Sequence, residues 1–170
     1  LTELDAALEG EPGERLLYEL QLVVLEQLGR TDAIETQLRD MIDLFPDDDL
    51  QQILVRWYLS QQRTDDAEAY LRHRVTNSNR EADARLTLIN FLIQLRGPEQ
   101  TLAEIDSILA SAPADDVNLS LYRAARASLI FDMGDREAAI VEMQDIVETA
   151  EPSDQTRQVK LTMAKMQEIG

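Results

Sequence analysis

The chain has 170 residues, with 33 Asp and Glu against 16 Lys and Arg, and a formal net charge of −17. It has no cysteine, which excludes disulfides, cysteine nucleophiles and thiolate metal sites. So negative a field repels nucleic acid and anionic membrane surfaces, and no apolar run, Leu22-Val23-Val24-Leu25 included, approaches bilayer-spanning length. Aromatics are only 5% of the chain, and Leu, Ala, Ile, Glu, Asp, Arg and Gln dominate, a mixture that favours helix over strand. The expected fold is all-α.

A short helix over residues 1–9 carries Leu1, Leu4 and Leu8 on one face and is broken at Gly10, Pro12 and Gly13. A longer one, about 14–28, has an apolar stripe of Leu16, Leu17, Leu20, Val24, Leu25 and Leu28, and Gly29 ends it. Thr31-Asp32 opens the next helix, with Ala33, Ile34, Leu38, Met41 and Ile42 inward, and Phe45-Pro46 closes it. Asp47-Asp48-Asp49 starts a third with Ile53, Leu54, Trp57 and Tyr58. Because Trp57 and Tyr58 are adjacent, one belongs to the core and the other is a candidate exposed anchor. Thr64-Asp65-Asp66 caps a fourth, with Ala67, Tyr70, Leu71 and Val75 inward, before the polar loop Asn77-Ser78-Asn79.

The fifth helix, 81–95, is expected to bury Leu86, Ile89, Leu92 and Ile93. Gly97-Pro98 is the following turn, with Pro98 at a first helical position that tolerates its missing N–H. The sixth buries Leu102, Ile105, Ile108 and Leu109 and ends before Pro113. After the loop Ala114-Asp115-Asp116, a seventh helix runs to Met133. An eighth follows Gly134 at once, with Ala139, Ile140, Met143, Ile146 and Val147 inward, up to Thr149. Pro152-Ser153-Asp154 caps a last helix carrying Val159, Met163 and Met166.

Small or short residues open each second helix: Ala33, Ala67, Thr101 and Ala139, at intervals of 34, 34 and 38 residues. A period near 34 with two helices per period is the mark of a stacked helix–turn–helix array. With Gly29, Gly97 and Gly134 at the turns, Leu38, Leu71, Ile105 and Met143 one turn into the second helices, and Pro46, Pro113 and Pro152 as closures, the sequence resembles the tetratricopeptide repeat (TPR) family over nearly its whole length. It departs where the family's aromatic near the start of the first helix is not clear, where Gln62 replaces a turn glycine, and where Asn79 replaces a closing proline. The expected domain is one array over 1–170. It has a leading half-repeat at 1–10, repeats near 14–46, 48–79, 81–113 and 116–152, and a trailing helix at 153–170. The physical logic stands without the name: one hairpin cannot cover both of its apolar faces, so hairpins stack. The resemblance implies a right-handed superhelix with a concave inner surface.

Chemistry-bearing residues are sparse. His73, the only histidine, lies between Arg72 and Arg74 and reads as a surface residue, not a general base. Asp47–Asp49, Asp65-Asp66 and Asp115-Asp116 fall at helix starts, where carboxylates accept from free backbone N–H groups; none has the alternating ligands and central glycine of a calcium loop. No metal or cofactor is expected, and no catalytic constellation is visible. In the family, the first helix of each repeat lines the groove. That register places Glu19, Glu26, Gln52, Arg56, Asn90, Gln94, Ser128 and Asp132 on or near it. Lysine is absent before Lys160, which disfavours the family's lysine-based grip on a peptide carboxylate; an acidic groove suits a basic or amphipathic protein or peptide segment.

The leading expectation is a non-enzymatic interaction scaffold of bacterial type. The alternatives are a structural assembly module that associates through its terminal half-repeats, and the accessory repeat region of a larger enzyme or envelope machine. Starting at Leu1, the sequence reads as a fragment of a larger protein, compatible with cytoplasm or with a bacterial periplasm or envelope.

Overall fold

The computed structural model describes residues 2–45, 48–77, 81–113, 116–149 and 154–169. These residues form α1 (Thr2–Gly10), α2 (Arg15–Gln27), α3 (Thr31–Leu44), α4 (Asp48–Ser60), α5 (Thr64–Asn77), α6 (Glu81–Leu95), α7 (Pro98–Ser111), α8 (Leu119–Asp132), α9 (Arg136–Thr149) and α10 (Asp154–Ile169). No strand occurs among the described residues. The closures at Pro46 and Pro152, the substitution at Asn79 and the residues Asp47 and Asp115 lie outside them.

Tight turns join α2 to α3, α4 to α5, and α8 to α9. In each, one residue takes positive φ: Gly29 at 63°, Gln62 at 59° and Gly134 at 103°. The next N–H reaches back to a carbonyl near the helix end: Arg30 to Leu25 at 3.0 Å, Arg63 to Tyr58 at 2.9 Å, Asp135 to Ile130 at 3.2 Å. This closure satisfies carbonyls that would otherwise lack partners. Gln62 holds the glycine conformation without being glycine, and so carries backbone strain. The α6–α7 turn closes at the same five-residue offset, but its positive φ falls one residue later, on the donor itself, just before Pro98. There Gly97 itself donates to Leu92 at 3.1 Å, with φ 90° and ψ 170°, a region open only to glycine.

This turn chemistry corrects the small-residue ladder. The first internal bond of each second helix is donated by Ile34, Ala67, Thr101 and Ala139. The first-repeat position is therefore Ile34, not Ala33, and the intervals are 33, 34 and 38 residues. The closing carbonyls of Leu25, Tyr58, Leu92 and Ile130 have the same spacing. Ala67, Thr101 and Ala139 are fully buried, while the bulkier Ile34 is only half-buried.

The chain divides into two compact units, residues 1–70 and 71–170. In the first, α2 packs on α1 and α3, and α3 on α4. Its core joins Tyr18, Met41 and Leu50, bordered by Leu8, Leu22, Ile42 and Phe45. Tyr18 meets Phe45 edge-on at 5.5 Å and donates to the Pro12 carbonyl at 3.1 Å, which fixes the α1–α2 loop. Tyr18 thus supplies, in the first repeat, an aromatic near the start of the first helix. In the second unit, α6 packs on α7, α7 on α8, α8 on α9, and α10 on both α8 and α9. Two apolar clusters flank α8. One joins Ile89, Ile105, Ile108, Tyr122 and Leu129, the other Ala127, Met143, Ile146, Val159 and Met166. Each such buried Leu, Ile or Met contributes roughly 1.5–3 kcal/mol.

Several apolar residues expected inside are exposed. In α2, Leu16, Leu20 and Leu28 face solvent, and the buried side is made by Tyr18, Gln21 and Leu25. Ile53 in α4 and Ile93 in α6 are also exposed, whereas Leu50, Ala84, Leu88 and Phe91 are buried. A helix whose apolar residues cover more arc than its neighbours do must leave some of them out. Of the adjacent pair, Tyr58 is in the core and Trp57 half-buried. Gly10 lies within α1, so that helix stops one residue later than expected.

Candidate functional site

The closing carbonyls set a common register for the four first helices α2, α4, α6 and α8. Two residues before each stand Val23, Arg56, Asn90 and Ser128; two residues after, Gln27, Ser60, Gln94 and Asp132. All are exposed except Ser128, which is half-buried. Five of the eight sequence-predicted residues fall in these two rows: Arg56, Asn90, Ser128, Gln94 and Asp132. Glu19 and Gln52 share a third row with Leu86 and Ala124, and Glu26 a fourth with Leu59, Ile93 and Phe131. Glu19, Glu26 and Gln52 are exposed.

In the first unit, Glu19 is engaged by Arg15, whose Nε donates at 2.8 Å. Gln52 and Arg56 on α4, and Asn90 and Gln94 on α6 in the second unit, make no side-chain hydrogen bond or ion pair among the described residues. Their amide and guanidinium groups are donors and acceptors turned to water, a set suited to hydrogen-bonding another backbone. The second unit also holds a cleft. Leu86 of α6, Leu121, Ala124, Ala125 and Ser128 of α8, and Val159 of α10 line a cleft of about 420 Å³. The small residues of α8 create it, because side chains of one or two heavy atoms leave space between neighbouring helices.

Two charged networks were not legible as such in the sequence. In the first unit, Glu35 of α3 accepts from the Tyr58 hydroxyl at 2.7 Å, from Arg39 Nε at 3.2 Å and from Arg63 Nη1 at 2.7 Å. Arg39 Nη2 donates to the Tyr58 hydroxyl at 2.7 Å, and Arg63 Nε to Asp66 at 2.6 Å. Arg63 also lies over the Tyr58 ring, 4.9 Å from its centre. Burial, then the bond to Glu35, pushes the Tyr58 hydroxyl up to about 12. Burial works against the Glu35 carboxylate, but bonds from Tyr58, Arg63 and Arg39 hold it below its ordinary value. This network ties α3, α4 and the strained Gln62 turn together. Asp66 thus works in an ion pair.

In the second unit, Arg126 of α8 bridges Asp106 of α7 at 2.6 Å and Glu142 of α9 at 2.7 Å, while Arg123 pairs with Asp145 and approaches Glu142 at 3.8 Å. The bond to Asp106, opposed next by burial and then reinforced by the bond to Glu142, raises the Arg126 guanidinium above its ordinary value. These arginines floor a cleft of about 840 Å³ with Leu102, Ile130, Met133 and Val141 on its walls. Arg126 occupies the register position of Leu54 and Leu88, both buried, so a polar bridge replaces an apolar core residue here.

Asp116 accepts from the backbone and side chain of Asn118 at 2.8 and 3.1 Å, so it fastens the loop before α8, not the helix start. Asp135 accepts from Ala138 N at 3.2 Å and caps α9. His73 is exposed, and its carbonyl accepts from Thr76 and Asn77. Among the described residues no group of His, Asp and Glu is placed to hold a metal ion, and no helix is long and apolar enough to cross a membrane.

No family model matches the chain, and no curated protein matches it in sequence. Solved structures do match. A thermophilic TPR protein of Thermus thermophilus is similar over 97% of this chain and 87% of its own, at 18% identity and a TM-score of 0.52. A tetratricopeptide repeat protein of Parabacteroides merdae is similar over 96% of this chain, at 16% identity and a TM-score of 0.51; the chain spans 63% of that protein's length. The fold is that of tetratricopeptide repeat proteins, an all-α repeat solenoid.

Proposed function

We propose that this chain is a non-enzymatic protein-interaction scaffold that binds a peptide or protein segment along the exposed face of its first helices. The observation that carries the reading is the common register of that face. Arg56, Asn90 and Gln94 stand at repeated positions, exposed and unspent on the fold. Exposed amide and guanidinium groups that the fold leaves unused can hydrogen-bond the backbone of an extended segment. The excess of acid over base favours a basic or amphipathic segment.

The test is a peptide selection from a random display library on the intact chain, with each binder re-measured on Gln52→Ala/Arg56→Ala/Asn90→Ala/Gln94→Ala. Binding should weaken by at least about tenfold, since each lost hydrogen bond is worth about 1 kcal/mol. Unchanged affinity across the selected set would sink the reading.

A further inference from the structure

The same register exposes a difference among the first helices. Leu16, Leu20 and Val23 of α2 form one line at i, i+4 and i+7, and are 57%, 45% and 50% exposed. Their equivalents are Asp49, Ile53 and Arg56 on α4, Asp83, Thr87 and Asn90 on α6, and Leu121, Ala125 and Ser128 on α8. The fold therefore accepts polar side chains at all three levels and does not require leucine or valine there. Unpartnered apolar residues that the fold does not need mark a contact surface. The stripe is about 10 Å long at 1.5 Å per residue. The chain is acidic, with seven carboxylates against Arg15 alone in residues 2–28; Glu26 borders the stripe on α2, as does Glu19, which Arg15 engages.

We infer that this stripe anchors an amphipathic helix of a basic partner, laid lengthwise on α2. The inference rests on the interaction reading above and names its partner class. The i, i+4, i+7 spacing is that of an apolar seam between two helices lying side by side, and an apolar face of matching period completes it. Basic residues beside that face meet Glu26 and the net negative charge of the chain, so charge selects the partner while the leucines hold it.

The experiment uses the intact chain and a fluorescent helical peptide of about 18 residues, with leucines on one face and lysines on the other. A control peptide has the same composition with its leucines scrambled. Anisotropy should show at least about tenfold tighter binding of the amphipathic peptide than of the scrambled one. Leu20→Asp should weaken that binding at least about tenfold, although it makes the chain more acidic. Simple charge attraction gives the opposite sign, so equal or tighter binding by Leu20→Asp would overturn the inference. Equal binding of the scrambled peptide would do the same. So would light scattering that shows the unliganded chain self-associating through the stripe, because the occupant would then be a second copy. If Leu20→Asp fails to fold, Leu16→Ser/Val23→Ser, with helicity checked by circular dichroism, takes its place under the same criterion. Loss of binding in these variants, with the α4 and α6 alanine set still binding, would refute the wider reading and leave the stripe. The reverse pattern would refute the stripe alone.

Discussion

The two units solve one problem, holding a first helix against its neighbours through polar groups, by opposite means. In residues 1–70 a fully buried phenol on α4 enters the core, and its hydroxyl is met by Glu35 and Arg39, whose own side chains reach water. In residues 71–170, about one turn earlier in α8, a guanidinium lies at the floor of an open cleft, its charge shared between α7 and α9. The physical difference lies in the central group: Tyr58 is fully buried, whereas the Arg126 side chain is 31% exposed. Removing a buried polar group leaves unpaired the partners that it satisfied. A half-exposed one can be replaced at little cost, because solvent already supplies most of what the ion pairs give.

The comparison can be broken by substitution, beginning where the effect is largest. Met41→Ala in the first unit and Met143→Ala in the second, both fully buried, should each cost about 2–5 kcal/mol in a denaturant titration. A loss below about 1 kcal/mol in either would mean that the unit's core is not where it is placed. Tyr58→Phe should cost about 1–3 kcal/mol, because Glu35 and Arg39 lose a buried partner. Arg126→Leu installs the residue type of the equivalent positions Leu54 and Leu88 and should change stability by less than about 1 kcal/mol. If the two substitutions cost the same, the contrast between a buried and a half-exposed central group fails.

pH sharpens the same point. Glu35 is held below its ordinary value in the fold, so its contribution is present above its unfolded pKa and is lost as pH falls through the lowered one. Tyr58 is raised from 10.0 to about 12, so its contribution is present below pH 10 and is lost as pH rises toward 12. Glu35→Gln should therefore flatten the acid limb of the stability profile of the first unit, followed by Tyr58 and Trp57 fluorescence. An unchanged acid limb would count against the network. The turns give effects of similar size. Gly97→Ala, in glycine-only space, should destabilise by about 1–3 kcal/mol in thermal unfolding, whereas Gln62→Gly relieves a strained positive φ and should stabilise by up to about 1 kcal/mol.

Much of the fold was legible because turn chemistry writes itself into sequence. Gly29, Gly97 and Gly134, the buried Ala67, Thr101 and Ala139, and Pro98 at its helix start all stand where their residue types require. The misreadings have a common cause. Ala33 was chosen by size, but Ile34 holds the position by hydrogen bonding, because the first interval is one residue shorter. Leu16, Leu20 and Ile93 were assigned inward because they are apolar, and apolarity says which residues are able to be buried, not which faces find neighbours. The outer cleft was hidden for a related reason. Arg126 looks like any surface arginine until the register shows it standing in a leucine's place. Of the candidate residues, the register places Arg56, Asn90, Ser128, Gln94 and Asp132 in two rows and Glu19, Gln52 and Glu26 outside them, because counting from the turns in sequence does not fix which side of each helix a residue takes.

The most direct measurement is amide chemical-shift mapping of the isotope-labelled chain on titration with a library-selected peptide. Perturbations gathered on α2, α4, α6 and α8, at Val23, Arg56, Asn90, Ser128 and their row neighbours, are the predicted result. Perturbations confined to α3, α5, α7 and α9, or to the cleft floored by Arg123 and Arg126, would contradict it.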